Sequence, residues 1–187
     1  MVLRDVGEIL KGCRRGKASA QKRLYDLFSA EMYAVCCYYT GSKMEADDIF
    51  QEGFIRVFEK IKQYKGEGAL GGWMRRIFVN CALERFRRER KIVLYPEVDD
   101  RLLDVAYDYT DAVINEKTLL SFVSELPPRY RMVFNLYAIE GYSHQEVAEI
   151  MGISEGTSKS NLARARRILQ QKLIQHGFVK RDRVSSV

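Results

Sequence analysis

Histidine and tryptophan are scarce in these 187 residues: there are two of the first and one of the second, with three prolines and four cysteines. No run of about 18 apolar residues occurs, which excludes a membrane-spanning helix. The opening "MVLRDVGEILKGCRRG" mixes acids with bases and lacks an apolar core of signal-peptide length, so a cytoplasmic protein without membrane insertion is expected. Cys13, Cys36, Cys37 and Cys81 form no C-x-x-C, and the vicinal pair cannot easily bridge, so buried reduced thiols are expected rather than a metal site. His144 and His176 read as surface or capping residues. No nucleophile–base set is present, and no cofactor is expected. The sequence therefore points away from an enzyme.

What is present is charge, unevenly spread. The chain carries +6 overall with a pI near 9.1. Residues 1–91 hold a net +7, residues 92–118 a net −5 and residues 119–187 a net +4. Two basic blocks flank an acidic one, which predicts two domains, at 1–91 and 119–173, joined by a linker over 92–118. A basic balance favours a polyanionic partner. The tail over 174–187 is expected to be disordered.

The first block reads as helices. Phe50, Phe54, Val57, Phe58 and Ile61 recur at helical spacing, with Asp47 and Asp48 near the expected start. Upstream, Leu24, Leu27, Phe28 and Met32 share a predicted face, which Tyr25 can join. Downstream, Met74, Ile77, Phe78 and Cys81 mark a second amphipathic helix rich in arginine. Between them, "YKGEGALGGW" holds Gly66, Gly68 and Gly71 in the G-x-G-x-x-G spacing of dinucleotide sites. That spacing has physical sense only between a strand and a helix. Here a helix precedes it and no β–α alternation follows, so the glycines are read as a helix–helix connection. Aromatics and arginines beside a glycine-rich loop suit single-stranded nucleic acid, because arginines meet phosphates and a concave loop can hold an unstacked base.

The last block is the most legible. Pro127 and Pro128 can open a helix carrying Met132, Val133, Leu136 and Tyr137. Gly141 should end it. Ser143 and Glu146 fit a capping box, Val147, Ile150 and Met151 lead to Gly152, and Ser154 caps the next helix. On that helix Ser158, Leu162, Ala165 and Leu169 are expected inside, with Thr157, Lys159, Ser160, Asn161 and Arg164 outside. This is helix-turn-helix geometry with a polar, basic reading surface.

Together the blocks resemble the sigma factors of bacterial RNA polymerase, of the extracytoplasmic-function (ECF) type, over roughly residues 5–173. Asp48, Gln51, Glu52 and Phe54, then Trp73, Ile77, Asn80 and Arg87, match the family's region 2. Leu126, Pro127, Gly141, Ser143, Glu146, Ala148, Gly152, Ile153, Ser154, Gly156, Thr157, Lys159, Ser160, Leu162, Arg164, Ala165 and Arg166 match region 4. The second pattern alone is shared with LuxR-type regulators; the two together are specific. The resemblance implies an all-α fold of two small helical domains, the second a helix-turn-helix. It implies core RNA polymerase as partner through its clamp helices and flap, promoter DNA as single strand and as duplex, and room for an anti-sigma factor. It gives Asp48, Gln51, Glu52, Phe54 and Arg56 to polymerase binding. Tyr64, Lys65, Glu67, Gly68, Ala69, Trp73, Arg75, Arg76, Asn80, Arg87 and Arg88 go to the −10 element. Thr157, Lys159, Ser160, Asn161, Arg164 and Arg167 go to the −35 element. The acidic linker fits the family's route along the RNA exit path. Leu70, where relatives often carry an aromatic, the pair Gly71-Gly72, and Ser158 and Asn161, where they often carry Val and Arg, depart from the pattern.

Overall fold

Residues 2–90 and 116–178 are described in a computed structural model. The chain divides into two units, split between residues 89 and 90. The acidic stretch that carries most of the expected linker lies outside the described residues, as does 179–187.

The N-terminal unit contains α1 (Val2–Arg14), α2 (Ala18–Tyr39), α3 (Lys43–Lys60), a 3-10 turn (Ile61–Gln63) and α4 (Leu70–Arg90). Helix α3 starts four residues before Asp47, because Ser42 caps it and accepts the Glu45 amide hydrogen. Its apolar face meets α4. Gly53 makes that contact possible: a Cβ there would fall 2.3 Å from the Phe78 ring. Tyr25, Phe50, Phe54, Phe58 and Phe78 form a chain of ring contacts at centroid distances of 4.7–6.2 Å, a separation that suits edge-to-face and tilted pairs. Leu24, Met32, Val57, Met74 and Phe78 are buried among them. Leu27 departs from the expected face and is 56% exposed. The buried stripe of α2 runs through Leu24, Met32, Val35 and Tyr39, and Leu27 lies more than a quarter-turn from its centre. All four cysteines are free; three are buried and Cys37 is half-buried. Burial pushes the Cys36 thiol to about 12 and the Cys81 thiol to about 11, so neither is a ready nucleophile.

The C-terminal unit contains α5 (Glu116–Ser124), α6 (Pro128–Phe134), a π turn (Asn135–Ile139), α7 (His144–Met151) and α8 (Glu155–Gln175). Pro128 occupies the first helical position of α6, where a missing amide hydrogen costs nothing. Phe122, Val123, Leu126, Val133, Leu136, Val147, Leu162, Ala165 and Leu169 are buried. Two boundaries differ from the sequence reading. Helix α5 begins inside the expected linker. At the other end α8 runs past residue 173 and closes with Gly177 at φ +75°. The Phe178 amide donates to Leu173 O at 2.8 Å and the Gly177 amide to Ile174 O at 3.0 Å. This is a Schellman closure, and the Phe178 ring lies 6.3 Å from Phe122. The expected disordered tail is thus ordered through 178.

Candidate nucleic-acid and polymerase interface

Gly66 and Gly68 adopt positive φ, +88° and +75°, and turn the chain sharply between the 3-10 turn and α4. Tyr64 braces that turn from beneath. Its hydroxyl donates to Gly68 O at 2.6 Å, and its carbonyl accepts from Arg14 Nη2 at 2.6 Å. Its ring sits 5.4 Å from Trp73 at a tilt of 46°. Tyr64 is only 6% exposed, so its place is the strut of the loop rather than a platform for a base. Lys65, Glu67, Gly68 and Ala69 are exposed along the rim. The Trp73 amide donates to Ala69 O at 3.1 Å and starts α4. No strand precedes the loop, so the glycine spacing serves a helix–helix connection, as the sequence reading held.

Beyond the loop, Trp73, Arg76, Asn80 and Arg87 recur at i, i+3, i+7 and i+14, one face of α4. Arg76, Asn80, Arg87 and Arg88 are exposed, while Trp73 and Arg75 are half-buried. The assigned −10 residues other than Tyr64 and Arg75 therefore line the rim and one side of α4, while Arg75 lies off that face.

On α3, Asp48 and Gln51 are exposed and Glu52 is half-exposed. Asp48 pairs with Arg85 at 2.9 Å. Arg56 pairs with Glu52 and, across to α4, with Glu84 at 2.6 Å. The guanidinium holds the Glu84 carboxyl below its ordinary range. Phe54 is a correction: it is 5% exposed and surrounded by aromatic rings, so it supports α3 from inside and cannot touch a partner. Two exposed apolar residues share this face. Met44 (72% exposed) and Ile55 (58% exposed) fall in line with Asp48 and Gln51 at i, i+4, i+7 and i+11. The helical spacing was available in the sequence, but only the core-facing apolar side chains of α3 were singled out there.

In the C-terminal unit the capping box forms as expected. The Glu146 amide donates to Ser143 Oγ at 3.2 Å, and Glu146 Oε2 accepts the Ser143 amide hydrogen at 2.8 Å. The Ser143 amide and hydroxyl, both donating to Glu146 Oε2, hold that carboxyl below its usual value. Gly152 takes φ +63° at the corner. Ser154 Oγ accepts the Thr157 amide hydrogen at 3.1 Å and fixes the start of α8. Lys159 is exposed and pairs with Glu155 at 2.7 Å. Thr157, Ser160, Arg164 and Arg167 flank it, half-exposed.

Asn161 is the second correction. It is 1% exposed, and its Nδ2 has no hydrogen-bond partner. Polarity suggested an outward side chain, but position 161 is three residues after Ser158 and four before Ala165, on the buried stripe. The exposed line runs instead through Gly156, Lys159, Ala163 and Arg166, so Ala163 and Arg166 join the candidate surface. Ser158 is buried as expected and its Oγ lies 2.9 Å from His144 Nδ1. The His144 ring stacks on Tyr137 at 4.3 Å.

Among the described residues no helix is long and apolar enough to cross a membrane. Comparison with known proteins agrees with the two-unit division. A model of Sigma-70 region 2 matches residues 24–92, and one of Sigma-70 region 4 matches residues 117–169. The chain is 33% identical over 153 residues to ECF RNA polymerase sigma factor SigE of Mycolicibacterium smegmatis, covering 78% of this chain and 58% of that one. It is 28% identical over 176 residues to ECF RNA polymerase sigma factor SigW of Bacillus subtilis, covering 88% and 94%. The solved structure of the sigma factor RpoE with the anti-sigma factor NepR from Bartonella quintana aligns with a TM-score of 0.48 at 21% identity, covering 81% of this chain and 95% of that one.

Proposed function

We propose, from the premise that this chain belongs to the sigma-70 family, that it is an alternative sigma factor of the ECF type. It binds core RNA polymerase, directs it to specific promoters and assists their melting. The observation that carries this reading is a pairing within one folded unit: a strutted glycine loop runs into the Trp73–Arg76–Asn80 face of α4, and α4 is ion-paired to the exposed face of α3.

Asp48, Gln51, Glu52 and Arg56, flanked by Met44 and Ile55, form the polymerase-docking face. The −10 strand lies along Lys65–Ala69 and the outer face of α4, with one base turned into the loop. Arg76, Arg87 and Arg88 meet its phosphates, and Asn80 offers both a donor and an acceptor to a base edge. Helix α8 enters the major groove of the −35 duplex with Lys159, Ser160, Arg164 and Arg166 at its surface. The stretch 92–115 tethers the two units. An anti-sigma factor is a further partner that fits the family.

The work is done by binding, without a covalent step. Unpairing and unstacking a base costs a few kcal/mol. Stacking on an aromatic returns about 1–3 kcal/mol per base, so one pocket and several phosphate contacts trap a strand that polymerase has helped to open. The test is Asn80→Ala. It should lower open-complex formation roughly tenfold, the loss of one good base contact, and leave binding to closed duplex nearly unchanged. Equal loss in both would remove Asn80 from strand reading.

A further inference from the structure

Outside the surfaces already assigned, α1 and α2 enclose a cleft of about 360 Å³. Its floor is apolar, formed by the buried Ile9 and Ala20. Its walls carry four cations, Lys11, Arg15, Lys17 and Arg23, against one carboxylate, Glu8. Lys11 neutralises that carboxylate at 2.8 Å. The cleft exists because α1 and α2 touch at Gly12, where a Cβ would fall 2.4 Å from Ala20 Cβ. Gly12 and Ala20 line the cleft at that contact, and the basic side chains stand around it. Arg15 follows Arg14, whose guanidinium holds the Tyr64 carbonyl of the −10 loop. The cleft therefore lies within a few nucleotides' reach of the strand that crosses the loop.

We propose that this cleft is a phosphate-binding site for the backbone of the single DNA strand engaged at the loop. The proposal rests on the sigma-factor reading for the identity of that strand. The cations offer charge without base-reading geometry, since they flank a gap and present no edge for a base pair. The cleft thus adds affinity and salt dependence and no sequence preference. It is a fixed feature of the α1–α2 contact and extends the DNA path beyond α4.

The test measures binding of the full chain to a fluorescein-labelled, mixed-sequence single strand over a series of salt concentrations. Each lost phosphate contact lowers the slope of log K against log salt by about 0.7 for a single strand. Arg15→Gln with Lys17→Gln should therefore lower it by about 1.4. A fully abasic strand should lose the same increment, because only phosphates are involved. Lys43→Gln, beyond the far end of α2 and about 30 Å away, should leave the slope unchanged. The unfolding transition followed at Trp73 should be the same in all three proteins. An unchanged slope in the double variant overturns the proposal. So does displacement of the strand by micromolar nucleoside tetraphosphate from the wild type alone, which would make a free nucleotide the ligand. Failure of the sigma reading is distinguishable, because it would appear as loss of promoter-directed transcription whatever the salt slope.

Discussion

The two units bury different chemistry. In the N-terminal unit the described interior is almost wholly apolar and aromatic, with Thr40 as its one buried polar residue, and the ion pairs Asp48–Arg85 and Arg56–Glu84 lie at its surface. In the C-terminal unit Arg131, Asn135, Ser158 and Asn161 are all buried. Arg131 donates to Ser124 O at 2.9 Å, and Ser158 meets His144 at 2.9 Å. Apolar contacts are non-directional, so the core of the first unit sets how close its helices lie. Hydrogen bonds are directional, and the Ser158–His144 contact ties α8 to α7 at one angular position. On the proposed function, a helix presenting the same side chains to successive base pairs needs such a tie, and a loop receiving one unstacked base does not.

The largest effect that can break this contrast is at Phe54. Truncating a fully packed phenylalanine costs about 3–5 kcal/mol. Phe54→Ala should lower the urea midpoint followed by Trp73 fluorescence, since Trp73 is the only tryptophan and reports the N-terminal unit. Weaker polymerase binding at unchanged stability would return Phe54 to the docking face.

A smaller effect tests the caps of the second unit. Ser143→Ala should cost about 1 kcal/mol at neutral pH, read from the far-UV CD transition. The Glu146 carboxyl titrates below its ordinary 4.5 in the folded chain. A depressed carboxylate contributes stability that is present above 4.5 and is lost as pH falls through the folded value. The gap between wild type and variant should therefore narrow in acid. A gap independent of pH would mean that the Glu146 half of the box is idle.

The smallest expected effect is at Asn161. Asn161→Leu removes a buried amide nitrogen that has no partner, so stability should change by no more than about 1 kcal/mol. The −35 preference should stay the same in a duplex-selection assay. A changed base preference would put Asn161 back on the DNA surface.

Much of this was legible in the sequence. Ser143, Glu146, Gly152 and Ser154 act locally, through their own neighbours' amides, so the helix-turn-helix could be read from spacing alone. The amphipathic faces of α3 and α4 followed from period. Polarity misled at Asn161, because side-chain type was weighed above register. Apolar type misled at Leu27, which was expected inside and is exposed, and Met44 and Ile55 went unread because only the core-facing side chains of α3 were followed. Tyr64 could not be read as a strut, because its partners at Gly68 and Arg14 depend on how the loop folds back and where α1 ends. The cleft between α1 and α2 depends on a helix contact at Gly12 that no local pattern announces.

The central claim is that this chain gives core RNA polymerase a promoter choice that the core lacks. Run-off transcription with purified core enzyme on genomic DNA, with and without the chain, tests it directly. The account predicts new transcripts with discrete start sites in its presence, lost when Asn80→Ala replaces the wild type. Absence of any new transcript, with the chain bound to core, would contradict it.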